Sequence, residues 1–148
     1  MSHTAPVVPE DTLARQHRAS HPQSSAWVSA NAGSGKTHVL TQRVVRLLLG
    51  GVPPARILCL TFTKAAAANM SIRVFDTLAS WTRLDDAALT EAILRTGAPR
   101  PSPTDLALAR KLFARTVETP GGLKIQTIHA FCERLLHLFP FEANVAAR

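Results

Sequence analysis

The chain has 148 residues, 46% of them hydrophobic and 18% charged, which is the profile of a folded globular domain. A chain of this size buries about 70% of the surface it exposes when unfolded. No apolar run approaches the roughly 20 residues of a membrane span, and the opening residues, with Pro6, Pro9, Glu10 and Asp11, contain no apolar core of a secretory signal. Cys59 and Cys132 form neither a disulfide framework nor a zinc-ligand spacing. These features point to a soluble, cytoplasmic protein.

The net charge is +7, from 17 Lys and Arg against 10 Asp and Glu. Its distribution says more than its total. Between Asp11 and Asp76 there is no carboxylate, whereas Arg15, Arg18, Lys36, Arg43, Arg46, Arg56, Lys64 and Arg73 all fall there. A one-signed stretch of that length favours a polyanionic partner, either nucleotide phosphates or nucleic acid. A solvated basic surface would carry the same charges, so the motifs must decide.

Residues 1–12 read as a loose arm. Asp11 or Thr12 is the expected cap of a short helix through Ser20, ended by Pro22. Residues 26–30 form a short apolar run expected to be a strand, and the small-residue loop 31–35 follows. In residues 36–49, Val39, Leu40, Val44, Leu47 and Leu48 recur at helical spacing until Gly50-Gly51. Pro53-Pro54 leads into a second predicted strand, 56–61, whose Ile57, Leu58, Cys59 and Leu60 suggest burial on both faces and a parallel sheet covered by helices.

Further helices are predicted over 65–80, with Met70, Val74 and Leu78 on one side, over 86–96, and from Ser102-Pro103 to about Thr119. Pro120-Gly121-Gly122 breaks the chain, 123–127 is a third strand candidate, and 130–138 is a final amphipathic helix. Trp27 and Trp81 are expected in the core, and Cys132 is expected to pack within its helix. The order of elements indicates an α/β fold.

The segment Ala30-Asn31-Ala32-Gly33-Ser34-Gly35-Lys36-Thr37, between a predicted strand and a helix, has the context of a phosphate-binding P-loop. Gly33 and Gly35 let successive N–H groups turn toward phosphate oxygens. The helix that begins at Lys36 adds its positive end. Lys36 supplies a cation for the β and γ phosphates, and Thr37 a hydroxyl for Mg²⁺. Ala30 replaces the first glycine of the strict pattern, which is tolerable where the residue keeps an ordinary negative φ. A glycine-rich turn that merely caps a helix is the weaker alternative.

Phosphate binding alone does not name a function. The segment Thr61-Phe62-Thr63-Lys64-Ala65-Ala66-Ala67-Ala68-Asn69-Met70 follows the second strand. On residue types alone, Phe62 is either an exposed base-stacking ring flanked by hydroxyls or a core ring beside a helix cap.

Taken together, the P-loop and this segment resemble motifs I and Ia of the UvrD-like superfamily 1 DNA helicases. Gln126-Thr127-Ile128-His129-Ala130-Phe131-Cys132 resembles their next motif, and Gln16 stands where these proteins keep an adenine-reading glutamine. The spacer from Met70 to Thr127 and the run Glu118-Thr119-Pro120-Gly121-Gly122-Leu123-Lys124 look more like the AddA-type helicase–nuclease subunits of double-strand-break repair.

The resemblance implies a partial P-loop NTPase (RecA-like) domain with an incomplete parallel sheet and a helical insertion. Residues 1–21 would be an arm and glutamine-bearing helix, 22–80 the core with motifs I and Ia, 81–119 the insertion, and 120–148 the return to the core. It also implies that ATP is bound by Gln16, Ala30, Asn31, Ala32, Gly33, Ser34, Gly35, Lys36, Thr37 and His38, with Mg²⁺ on Thr37. Thr61, Phe62, Thr63, Thr127 and His129 would line a single-strand DNA track, an AddB-like subunit would be the partner, and the site of action would be the nucleoid. His38 occupies a position where many relatives carry an adenine-stacking Arg, and Asn69 one where they usually carry Glu.

A helicase also needs an acidic pair at the end of an apolar strand. Asp85-Asp86 follows Trp81-Thr82-Arg83-Leu84, which is no buried strand, and Glu133 and Glu142 lie on or after the last helix. The sequence is therefore read as the opening part of an ATP-dependent DNA helicase, ending ahead of its acidic motif. The alternative is a catalytically inactive remnant or a nucleotide- or nucleic-acid-binding stub.

Overall fold

The computed structural model describes residues 9–31, 33, 35–140 and 142. Most of the arm predicted over residues 1–12 therefore lies outside the described residues. The elements follow the order α1 (Glu10–Ala19), α2 (Lys36–Leu49), a single 3-10 turn (Pro54–Arg56), β1 (Leu58–Thr61), α3 (Lys64–Trp81), α4 (Asp86–Arg95), α5 (Pro103–Glu118), β2 (Lys124–Thr127) and α6 (Ile128–Leu138). The result is a helix-rich α/β arrangement around a small parallel sheet.

Local chemistry sets most of these boundaries. The Thr63 hydroxyl accepts the Ala66 amide at the start of α3, and Asp85 accepts from Ala88 at the start of α4. A reciprocal capping box opens α5: Ser102 accepts the Asp105 amide while the Asp105 carboxylate accepts from the Ser102 amide and hydroxyl. Those two bonds hold the Asp105 carboxyl below its ordinary range. The first helix departs from expectation, because Pro9 and not Asp11 or Thr12 precedes it. Glu10 and Asp11 then fall in the first turn, where the helix dipole favours negative charge, and Asp11 pairs with Arg15 at 2.8 Å.

The core lies between α3 and its neighbours. Ala67, Met70, Val74, Leu78 and Trp81 form one stripe of α3, which packs on α2 and α5 and shares a core with Val44, Val45 and Leu48 of α2, Leu106, Ala109 and Leu112 of α5, and Leu89 and Ile93 of α4, which packs on α5. Phe75 and Phe113 add an edge-to-face ring pair at 6.3 Å. Each fully buried leucine, such as Leu78, Leu89 or Leu112, contributes about 1.5–3 kcal/mol of transfer free energy.

The sheet pairs β1 with β2 in parallel, with Leu58 opposite Lys124 and Thr61 opposite Thr127. Three expectations fail around it. Residues 26–30 form no strand: the described sheet has two strands, β1 and β2, and this run pairs with neither. Trp27, expected in the core, is 95% exposed, while Trp81 is 2% exposed as expected. The second predicted strand is shorter than 56–61, since Arg56 belongs to the 3-10 turn, and its alternate residues Leu58 and Leu60 face outward because α3 covers only one side of the sheet.

Cys132 is exposed on α6, which has no buried residue, so it does not pack as expected. Cys59 is half-buried, and burial pushes its thiol above the ordinary value. Among the described residues no helix is long and apolar enough to cross a membrane.

The two tryptophans separate core from surface directly. Trp81→Ala should cost about 3–5 kcal/mol of stability in a urea titration, the usual penalty for emptying an aromatic core position. Trp27→Ala should stay within about 0.5 kcal/mol, and a comparable loss at both sites would contradict this core.

Candidate functional site

The loop before α2 is shaped by its glycines. Gly33 and Gly35 have φ of 80° and 88°, in the left-handed region that disfavours side chains. Gly35 is itself the residue that precedes α2, and no side chain among the described residues caps this helix. No acidic residue occupies its first turn either. The amides that open α2 therefore form an uncapped, positively polarised helix end, the feature to which anions bind.

Lys36 folds back over this loop. Its ammonium donates to the Ala30 carbonyl and, at 2.8 Å, to the Asn31 carbonyl. The side chain is thus held across the loop mouth by neutral acceptors that a phosphate oxygen would outcompete. Thr37 and His38 are exposed on the first turn, and the Thr37 carbonyl accepts from the Thr41 hydroxyl at 2.9 Å. A cavity of about 450 Å³ between α2 and residues 19–28 has Lys36, Val39, Leu40 and Arg43 on its wall. Ala32 and Ser34, expected in the phosphate cradle, lie outside the described residues.

Gln16 on α1 comes to the same place. A methyl group added at Gly35 would stand 3.3 Å from the Gln16 Nε2 atom, so the amide lies directly against the loop. Two arginines of α2 fix this approach. Arg46 donates to the His17 carbonyl and the Ser20 hydroxyl, both at 2.9 Å. Arg43 donates to the carbonyls of His21 at 2.7 Å, Ser24 at 2.8 Å and Ala19 at 3.3 Å. Burial and the neighbouring Arg43 lower the pKa of Arg46 from its ordinary value.

By sequence, both arginines count among the charges facing a polyanion; in the fold they hold the protein's own carbonyls. The signal is present in part: α1 lacks a C-terminal glycine, so its last carbonyls need other donors.

The second set of predicted residues assembles at the carboxyl ends of the two parallel strands. Thr61 and Thr127 are register partners, so Thr61-Phe62-Thr63 and Thr127-Ile128-His129, far apart in sequence, leave the sheet side by side. Phe62 is 86% exposed, which excludes the core reading of this ring. His129 is exposed as well. Each hydroxyl makes one bond within the chain and keeps further capacity: Thr61 donates to the Thr63 carbonyl, and Thr63 and Thr127 accept the amides that open α3 and α6.

Asn69 is exposed on α3. Asp85 caps α4, and Asp86 pairs with Arg110 at 2.6 Å, so neither belongs to a strand end. Among the described residues no group of three or more His, Cys, Asp or Glu stands together to hold a metal ion.

Comparison with known proteins matches residues 12–148 to the UvrD/REP helicase N-terminal domain. The chain is 30% identical over 138 residues to the A subunit of the ATP-dependent helicase/nuclease of Lactobacillus acidophilus, covering 93% of this chain and 10% of that protein. It is 33% identical over 131 residues to the protein of the same name from Latilactobacillus sakei, 88% of this chain and 13% of that one. Over a shorter stretch of 47 residues, 32% of this chain and 4% of the relative, identity to the Levilactobacillus brevis protein of that name rises to 62%. The chain thus spans about a tenth of the length of the curated relatives it matches. No solved structure matches it significantly.

The loop conformation has a measurable cost when glycine is lost. Gly33→Ala and Gly35→Ala should each destabilise the chain by about 1–2 kcal/mol in denaturant titration, because alanine resists a left-handed φ. Gly35→Ala should be the worse of the two, since its methyl meets Gln16 whereas that of Gly33 meets open space. Equal stability of both variants with the parent would contradict the loop geometry.

Proposed function

The chain belongs to the UvrD/REP helicase family through its N-terminal domain, and from that premise we propose that it provides the ATP-binding part of a DNA helicase of double-strand-break repair and recombination. Lys36 and the amides at the start of α2 hold the β and γ phosphates in a P-loop of residues 30–37, within a RecA-like domain. Gln16 reads the adenine edge, and His38 stacks near the base. The observation that carries this reading is the uncapped, left-handed turn at Gly35, with Lys36 poised on the Ala30 and Asn31 carbonyls.

These residues suit a triphosphate. The loop contributes donors and one mobile cation, with no carboxylate in the first turn of α2 to repel an anion. Mg²⁺ would be shared between the phosphates and the exposed Thr37 hydroxyl, and it would neutralise charge on the transferring phosphoryl group when bound. Phe62 and His129, with the strand-end threonines, form a site for single-stranded DNA, where the exposed ring stacks on a base. An AddB-like subunit is the proposed partner, and the place of action is the cytoplasmic nucleoid.

For this chain by itself, nucleotide binding without turnover is the expected behaviour. Neither described strand carries a carboxylate to activate water. That observation favours a second reading for the isolated chain, a nucleotide- and DNA-binding unit without catalysis of its own.

The test is equilibrium binding of a fluorescent ATP analogue with Mg²⁺, together with an ATPase assay with single-stranded DNA. Lys36→Ala should weaken binding by about tenfold or more, the loss of one charge-assisted contact. Indifference to Lys36→Ala would sink the nucleotide site, and single-strand-stimulated turnover by the chain alone would overturn its assignment as non-catalytic.

A further inference from the structure

The helix that carries Gln16 has little apolar attachment to the rest of the protein. It is ten residues long and has no buried residue. A helix of that length is marginal in water unless tertiary contacts hold it. Its contacts concentrate at its carboxyl end, where the final carbonyls lack partners within the helix.

The Gln16 and Arg18 carbonyls take the amides of Ser20 and His21, and those of His17 and Ala19 are reached from α2. Arg46 reaches the His17 carbonyl and Ser20 hydroxyl, and Arg43 spans the carbonyls of Ala19, His21 and Ser24. Ser20 completes the knot by donating to the His17 carbonyl at 3.2 Å. A guanidinium can serve several acceptors at once from a planar fork, which an ammonium does not reproduce. Positive charge at this end of α1 also complements its dipole.

The turn that follows α4 buttresses the same point. A methyl group at Gly97 would come within 2.8 Å of the His17 ring and 3.2 Å of the Arg46 Nη1 atom, so this turn packs directly on the clamp. Gln16, adjacent to His17 in sequence, emerges on Gly35. Because Arg43 and Arg46 lie on the helix that the glycine loop opens, they set the position of α1 relative to that loop.

We infer that Arg43 and Arg46 are positioning residues for base recognition: through the carbonyls at and just beyond the end of α1 they hold the Gln16 amide in place against the phosphate loop. This rests on the reading of residues 30–37 as an ATP site. It assigns the two arginines to selection of the base and not to capture of phosphate. Phosphate affinity is assigned to Lys36 and the loop, since the hydrogen bonds of Arg43 and Arg46 go to residues 17–24 and not to the loop.

The experiment compares two probes on the full chain, ATP and inorganic tripolyphosphate, in competition with a fluorescent ATP analogue. Arg43→Met and Gln16→Ala should each weaken ATP about tenfold, while tripolyphosphate affinity stays within about twofold. In the Gln16→Ala background Arg43→Met should cost nothing further, because the two act through one contact. Arg46→Met should behave alike; Arg43 is the less buried of the pair, so its variant keeps the test readable if loss of Arg46 unfolds the chain.

Hydrogen exchange over residues 10–20 gives a readout free of nucleotide and should accelerate in Arg43→Met. Equal loss for both probes, full additivity with Gln16→Ala, or unchanged exchange in α1 would overturn the proposal. A parent chain that binds neither probe, with α1 exchange still accelerated in the variant, would remove the nucleotide role and leave the clamp as a purely structural tie.

Discussion

One stripe of α3 organises the molecule. Ala67, Met70, Val74, Leu78 and Trp81 repeat at helical spacing, and their burial draws α2, α5 and both strands onto a single helix. Without that stripe the sheet has no cover and the long helices have no common surface. Both candidate sites hang from its partners. The glycine loop opens α2, which packs on α3, and the strand-end motifs leave β1 and β2, which pack on the same helix.

The basic stretch divides into two uses once the fold is known. Arg43 and Arg46 are turned inward onto backbone carbonyls, those of His17 and Ala19 at the end of α1 and those of His21 and Ser24 just beyond it. Lys36, Arg56, Lys64 and Arg73 stay exposed and keep their charge available to an anionic partner. A count of charges along the sequence cannot separate these uses, because it carries no information about where α1 ends in space.

Much of the helical structure was legible because it is local. The α2 range of 36–49 follows from periodicity and the Gly50-Gly51 stop, and α5 from the Ser102-Pro103 start. The glycine loop was legible too, since left-handed turns at Gly33 and Gly35 need glycine whatever surrounds them. What escaped is non-local. The run 26–30 has strand composition but no described neighbour to pair with, so Trp27 stands in solvent. Leu58 and Leu60 read as doubly buried, yet no layer among the described residues buries their outward face. Phe62 could not be assigned to core or surface from its flanking residues, and the register of Thr61 with Thr127 places it at an open strand end.

The central claim is that the loop before α2 and the end of α1 form one nucleotide site. Amide hydrogen exchange with and without Mg²⁺-ATP tests it most directly. Bound nucleotide should slow exchange across residues 33–38 and in the segment around Gln16. Protection confined to the other cavity, of about 520 Å³, that Leu47, Leu49 and Ala98 help to line, or no protection at the loop, would contradict it.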